Sequence, residues 1–166
     1  SSAASDVYKR QGVDGTNITR LVIEEKDGTK HDVATLDDGM KYGGDTGAVI
    51  KKKLNEQVNV IGGITDTNKL TTEDNLGVVS DGSNNLKVRL AKALKGLESV
   101  TTGNTVMNND GVTINNGAAG NPVSLTKNGL NNGGNTITNV ADGINGTDAV
   151  NVNQLNTVAG EAAKHT

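Results

Sequence analysis

Apolar residues in this chain fall in short β-branched runs, broken every few positions by Gly, Asn or Asp. Such spacing predicts brief strands joined by tight turns rather than long amphipathic helices. Ile18, Leu21, Val22 and Ile23 run into Glu24-Glu25-Lys26; Asp27-Gly28 is a tight-turn dipeptide, and Thr29 to Leu36 is the returning arm of a hairpin. A second turn is expected at Asp37-Asp38-Gly39, followed by Met40 to Asp45, Ala48-Val49-Ile50 and Leu54. Val58 to Ile64 has strand chemistry and carries glycines at Gly62-Gly63. Two further runs, Leu76–Val79 and Leu86–Leu90, flank the turn Ser80-Asp81-Gly82-Ser83. Leu86, Val88 and Leu90 alternate with Lys87 and Arg89, so one side of that strand is apolar and the other faces water. Ala91 to Lys95 fits the strand and helix periods equally.

From Val100 to Val140 very short strands are expected at 105–107, 111–114, 122–125 and 136–138, with Asn/Gly turns between them, among them Asn115-Asn116-Gly117. Pieces this short need neighbours, from the same chain or from copies of it. The tail changes period. Val152, Leu155, Ala159 and Ala162 have the 3-4-3 spacing of a coiled-coil a/d seam, and Asp148 stands where a carboxylate caps or faces a helix N-terminus. About two heptads make a weak isolated coiled coil, so the run reads as the first turns of a longer stalk cut off at Thr166.

Composition sharpens this picture. Of 166 residues only 33% are hydrophobic, Phe and Trp are absent, and the aromatics are Tyr8 and Tyr42, so aliphatics must supply any core. Disordered chains are rich in Pro and highly charged; this one has the single Pro122 and a net charge of -3. Oligomerisation is the natural way for it to find enough apolar surface. The lack of Cys excludes disulfides and cysteine-ligated metals. No signal-peptide pattern and no apolar run near the roughly 20 residues of a membrane span are present. A pI near 5.3 leaves no footprint for nucleic acid, and Lys51-Lys52-Lys53 reads as a solvated patch needing no partner. Residues 1–11 lack periodicity and are set apart as a cloning scar or disordered leader.

Candidate chemistry is sparse. His31 and His165 are the sole histidines and read as surface residues. Asp37-Asp38 lacks the spaced oxygen ligands of a calcium loop and reads as turn chemistry. Gly62-Gly63 and Gly133-Gly134-Asn135 match neither phosphate-loop pattern. Asn17-Ile18-Thr19 and Asn145-Gly146-Thr147 match a glycosylation sequon that arises by chance in so Asn- and Thr-rich a chain. No catalytic, cofactor-binding or metal-binding residue is therefore assigned, and the chain is not read as an enzyme.

The octapeptide Asp148-Ala149-Val150-Asn151-Val152-Asn153-Gln154-Leu155 resembles the DAVN-x-x-QL neck of trimeric autotransporter adhesins. Gly129 to Gly143 is similar to the segment feeding that neck, Leu90 to Val100 looks like the closing part of the family's tryptophan-ring head module, and Gly39 to Ile64 resembles its opening part. The likeness runs from Gly39 to Ala162; the ring's namesake indole has no counterpart here, so that contact is absent or aliphatic. The resemblance implies a mainly β fold with a short C-terminal helix, an intertwined homotrimeric head or connector leading into a trimeric coiled coil. The implied organisation is a leader at 1–11, a β-hairpin connector at 12–38, a ring-like head module at 39–128, a neck at 129–155 and the start of a stalk at 156–166. Asp148, Ala149, Val150, Asn151, Gln154 and Leu155 are the expected trimer neck, with polar groups bonding between chains; Val152, Leu155, Ala159 and Ala162 are the expected seam. The implied partners are two further copies of the chain and host-cell or matrix receptors, with no nucleic acid and no direct membrane contact in this segment. The implied function is attachment to host cells or matrix, direct or by supporting an adhesive head, at a bacterial surface anchored by a C-terminal barrel outside this fragment. A trimeric phage tail fibre shares the threefold β architecture but not the neck octapeptide, and a polysaccharide-acting enzyme requires a carboxylate pair in a cleft.

Overall fold

The structure, a computed structural model, describes residues 3–115 and 120–165, with the backbone alone over 3–9. The chain divides into two compact units, 1–65 and 66–166. In the first unit, β1 (Ala3–Gln11), β2 (Asn17–Glu24) and β3 (Lys30–Asp32) form an antiparallel sheet in that order. The expected hairpin is β2–β3, with Glu24 opposite Lys30 and Gly28 at φ 89° in the turn. Asp27 Oδ1 accepts from Thr29 N at 2.9 Å, an Asx turn that closes the loop locally. Residues 3–11, where sequence periodicity is silent, pair along β2 as a strand; a pairing partner supplies what an alternating pattern does not.

Along β2, Arg20 and Val22 point inward, and Val22 is only 1% exposed. Arg20 is also buried, held by the Asp38 carboxylate through its two terminal guanidinium nitrogens and by the carbonyls of Val33 and Gln11 at 3.3 Å. Asp38 further accepts from Thr35 N at 2.8 Å. A second hairpin pairs β4 (Gly39–Tyr42) with β5 (Ile50–Lys53). The basic run is not wholly solvated as expected: Lys53 Nζ lies 3.3 Å from Asp37 and 3.5 Å from Asp14. Val58 to Ile64 forms no strand, since no segment among the described residues pairs with it, and Val60 is 99% exposed.

The second unit opens with a 3-10 turn at Thr67–Lys69 and the hairpin of β6 (Leu76–Ser80) and β7 (Leu86–Leu90). Ala91 to Lys95, ambiguous by period, is neither strand nor helix. Asn75 ties it down: its side-chain amide donates to Lys95 O at 2.8 Å and accepts from Lys95 N at 3.0 Å, while its own carbonyl accepts from Ala91 N. These bonds explain how so polar a side chain is 5% exposed.

A five-stranded meander follows: β8 (Ser99–Thr102), β9 (Thr105–Asn108), β10 (Gly111–Ile114), β11 (Val123–Thr126) and β12 (Gly129–Asn131). Two-residue loops rich in Gly, Asn and Asp close three of its turns, which such residues favour. The turn expected at Asn115-Asn116-Gly117 lies partly outside the described residues. Thr136–Thr138 is not a strand. The chain ends in α1 (Val152–Ala163), the expected C-terminal helix.

Register decides which side of each sheet is apolar. Val100 faces Met107, Met107 faces Val112, Val112 faces Leu125 and Leu125 faces Leu130, one continuous row across all five strands. Ile114 and Val123 pair on the same side, two residues along. The opposite side carries Thr101, Asn108, Thr113, Ser124 and Asn131, with Val106 between Thr101 and Thr113 as its apolar member. In the β6–β7 hairpin Leu76 opposes Leu90 and Val78 opposes Val88, with Leu86 on the same side. These five are 62–75% exposed. The chain's buried apolar residues are only Val13 and Val22 among those described. Its accessible surface is 13998 Å², whereas a folded monomer of its 17.0 kDa exposes about 7,700 Å².

Candidate neck and uncovered apolar faces

Asn151, in extended backbone at φ -94° and ψ 170°, is the N-cap of α1. Its side-chain oxygen accepts from Gln154 N at 3.0 Å, and Gln154 Oε1 accepts from Asn151 N at 3.3 Å, a reciprocal capping box. Gln154 does more. Its Nε2 donates to Gly143 O at 2.9 Å and its Oε1 accepts from Gly143 N at 2.8 Å, so the side-chain amide pairs with a peptide as a neighbouring strand does. Asn151 Nδ2 reaches back to Val140 O at 3.0 Å and Asp142 Oδ1 at 2.6 Å. A Cβ on residue 143 would lie 2.7 Å from Ala149 O, so only glycine lets the incoming segment lie this close.

Asp148 does not cap the helix, contrary to the sequence expectation. Its Oδ2 accepts from Asn145 N at 2.8 Å and Ile144 N at 3.0 Å, closing the turn one step earlier. The Asn145 N–H first, then the Ile144 N–H, holds its carboxyl below the usual value, against the opposing effect of desolvation. Asn151 wins the cap because its position directly precedes the first helical residue. Within the chain, Asp148, Asn151 and Gln154 all find hydrogen-bond partners. An Asn followed three residues later by Gln is itself a capping-box signal, and could have revealed the arrangement.

The aliphatic residues around the start of α1 are open to solvent. Val150, Val152 and Leu155 are 61–70% exposed, and Ala149, Ala159 and Ala162 are exposed too. At 3.6 residues per turn Val152, Leu155, Ala159 and Ala162 occupy an arc of about 80°, one narrow stripe on α1. Polar side chains thus fix the backbone leading into α1, and the apolar ones are left open.

The other expected sites resolve locally. Asp37 and Asp38 are engaged by Lys53 and Arg20 respectively. Arg20 and the Val33 carbonyl hold the first unit together across distant residues, a clamp that no sequence motif announces. His31 lies on β3, 3.2 Å from Glu25. Among the described residues no helix is long and apolar enough to cross a membrane.

Together these elements define a β-rich segment feeding a capped helix with an open aliphatic stripe. Residues 136–166 match the family model described as the coiled stalk of trimeric autotransporter adhesin. The chain is 40% identical over 113 residues, covering 58% of its length, to trimeric autotransporter adhesin AtaA of Acinetobacter sp. strain Tol 5; it spans 3% of that curated relative. Among solved structures it is similar to the N-terminal domain 1 of VompD from Bartonella quintana, at 25% identity and TM-score 0.48, covering 74% of this chain and 99% of that one. It is also similar to the Acinetobacter sp. Tol 5 AtaA C-terminal stalk fused to GCN4 adaptors, at 37% identity and TM-score 0.31, covering 60% of this chain and 33% of that one. The family-model match and the AtaA relationship agree that the chain is similar to trimeric autotransporter adhesins, the former over its C-terminal residues 136–166.

Proposed function

We propose that this segment works as one third of an intertwined homotrimer in a bacterial surface fibre, mediating or supporting attachment to host cells or extracellular matrix. The observation that carries the reading is the apolar row Val100–Met107–Val112–Leu125–Leu130, exposed except at half-buried Val112, on a sheet whose other side is polar apart from Val106. Three copies turning that row, the β6–β7 face and the α1 stripe toward one axis would remove all three from water. Closed threefold symmetry satisfies each copy equally. In this reading 12–38 is a hairpin connector, 39–128 a ring-like head module, 129–155 the neck and 156–166 the entry to the stalk. Asp148, Asn151 and Gln154 set the neck backbone; Ala149, Val150 and Leu155 line its axis, and Val152, Leu155, Ala159 and Ala162 form the seam.

The role is structural rather than enzymatic, and the fibre is held at the outer membrane by an anchor elsewhere in the parent protein. Attachment then gains from repetition, since three equivalent surfaces per fibre raise avidity without strong single contacts. The test joins the chain through Ala162, in register, to a trimeric coiled coil, and measures folding of the head and binding to epithelial cells and matrix proteins. A folded trimer that binds assigns attachment to this segment, and a folded trimer that does not bind makes it a projecting support. A chain that stays unfolded ahead of its enforced stalk contradicts the reading.

A further inference from the structure

The chain has four Asn–Gly dipeptides: Asn116–Gly117, Asn128–Gly129, Asn132–Gly133 and Asn145–Gly146. Such pairs can modify themselves, because glycine leaves the following peptide nitrogen unhindered and asparagine is a thermolabile side chain. That nitrogen attacks the asparagine side-chain carbonyl carbon, its proton is lost, ammonia departs, and a five-membered succinimide forms. Water then opens the ring at either carbonyl, giving aspartate or isoaspartate. The first step needs a nitrogen and a carboxamide that no other group holds.

Asn116–Gly117 lies outside the described residues. The other three differ sharply. Gly129 is the ladder partner of Thr126 across a two-residue loop, which commits its N–H to closing the β11–β12 hairpin. Gly133 N donates to Asn131 Oδ1 at 3.0 Å, and the Asn132 amide donates to Asn135 O at 2.8 Å, so both reactants are held. At Asn145–Gly146 neither the Gly146 N–H nor the Asn145 carboxamide has a hydrogen-bond partner among the described residues. Space is open around Gly146, with no atom within 4 Å of where a Cβ would stand. The Asn145 carbonyl accepts from Asp148 N at 3.0 Å, which draws electron density out of the peptide and favours loss of the Gly146 proton.

We propose that Asn145 is a self-modification site, converting by succinimide chemistry to aspartate and isoaspartate at the entrance to the neck. The product carries a new carboxylate next to Asp148, whose Oδ2 already lies 2.8 Å from Asn145 N. Two like charges there oppose each other. Isoaspartate also inserts a backbone carbon between the two N–H groups and the carboxylate they serve. Conversion therefore loosens the turn that leads the chain into α1.

The test uses the chain joined in register to a trimeric coiled coil, incubated at mildly alkaline pH either folded or unfolded in urea, with peptide mass mapping over time. In the folded protein the unmodified Asn145 peptide is expected to be lost while the Asn128 and Asn132 peptides persist; in urea all three are lost together. Asn145→Gln is expected to remove the acidic shift that the 145 site contributes on isoelectric focusing. Persistence of Asn145 in the folded protein, or equal loss of the three sites there, overturns the proposal.

Discussion

The side-chain amide of Gln154 and the peptide of Gly143 form a closed two-bond ring, 2.9 Å one way and 2.8 Å the other. One residue thereby joins the segment ahead of the helix to the first turn of α1, because the same oxygen also completes the capping box with Asn151. Gln154→Ala leaves both Gly143 groups and the Asn151 N–H without partners. Loss of such bonds costs about 1–3 kcal/mol where the groups stay shielded. The expected result is a lower melting temperature of the helical circular dichroism signal in the coiled-coil-fused trimer. Gln154→Glu, which keeps an acceptor for Gly143 N but sets a carboxylate against Gly143 O, is expected to destabilise as well.

The Arg20–Asp38 pair makes the first unit acid-sensitive in a defined window. The Arg20 guanidinium, then the Thr35 N–H, lowers the Asp38 carboxyl from 3.8 to about 2. A carboxyl with a depressed folded value adds stability that is complete above its unfolded value and lost as pH falls through its folded one. Thermal unfolding between pH 4 and pH 2, the range set by those two values, is expected to show this loss. Asp38→Asn should flatten that dependence and also destabilise at neutral pH, because Arg20 stays buried without its counter-charge.

Gly111 and Gly129 separate steric from conformational demands. Gly111 sits at φ +132° and a Cβ there would run into the Leu125 carbonyl, whereas Gly129 at φ +109° has open space around it. Overpacking costs about 1–3 kcal/mol in addition to backbone strain, so Gly111→Ala should lower the denaturant midpoint more than Gly129→Ala. Equal effects would mean that the β10–β11 approach is looser than it stands here.

Val88 and Leu125 test the uncovered faces. Both are well exposed in the single chain, at 68% and 58%. Surface substitutions that touch nothing usually change stability by about 0.5 kcal/mol or less, so Val88→Lys or Leu125→Lys would be silent if those faces met water. In the proposed trimer each places three charges at an apolar axis, and loss of the trimeric head in sedimentation is expected. The polar-side change Thr113→Lys serves as the control and should leave assembly intact.

Local signals made much of this legible. Asp27-Gly28 gave the β2–β3 turn, and the alternation of Leu86, Val88 and Leu90 with Lys87 and Arg89 gave the sided β6–β7 hairpin. The heptad spacing from Val152 located α1. What escaped depends on residues distant in sequence. Arg20 meets Asp38 and Gln154 meets Gly143 through folding rather than spacing. Asp148 and Asn151 are both credible caps by type, and the helix start alone decides between them. Val58 to Ile64 shows the converse: strand chemistry is present, but the described residues supply no edge for it.

The most direct test is sedimentation and thermal melting of the unfused chain across a wide dilution series. Interlocked copies predict a threefold mass at high concentration and a melting temperature that falls on dilution, because folding and association are then one equilibrium. A compact single copy that melts cooperatively at the same temperature at every dilution would contradict the account.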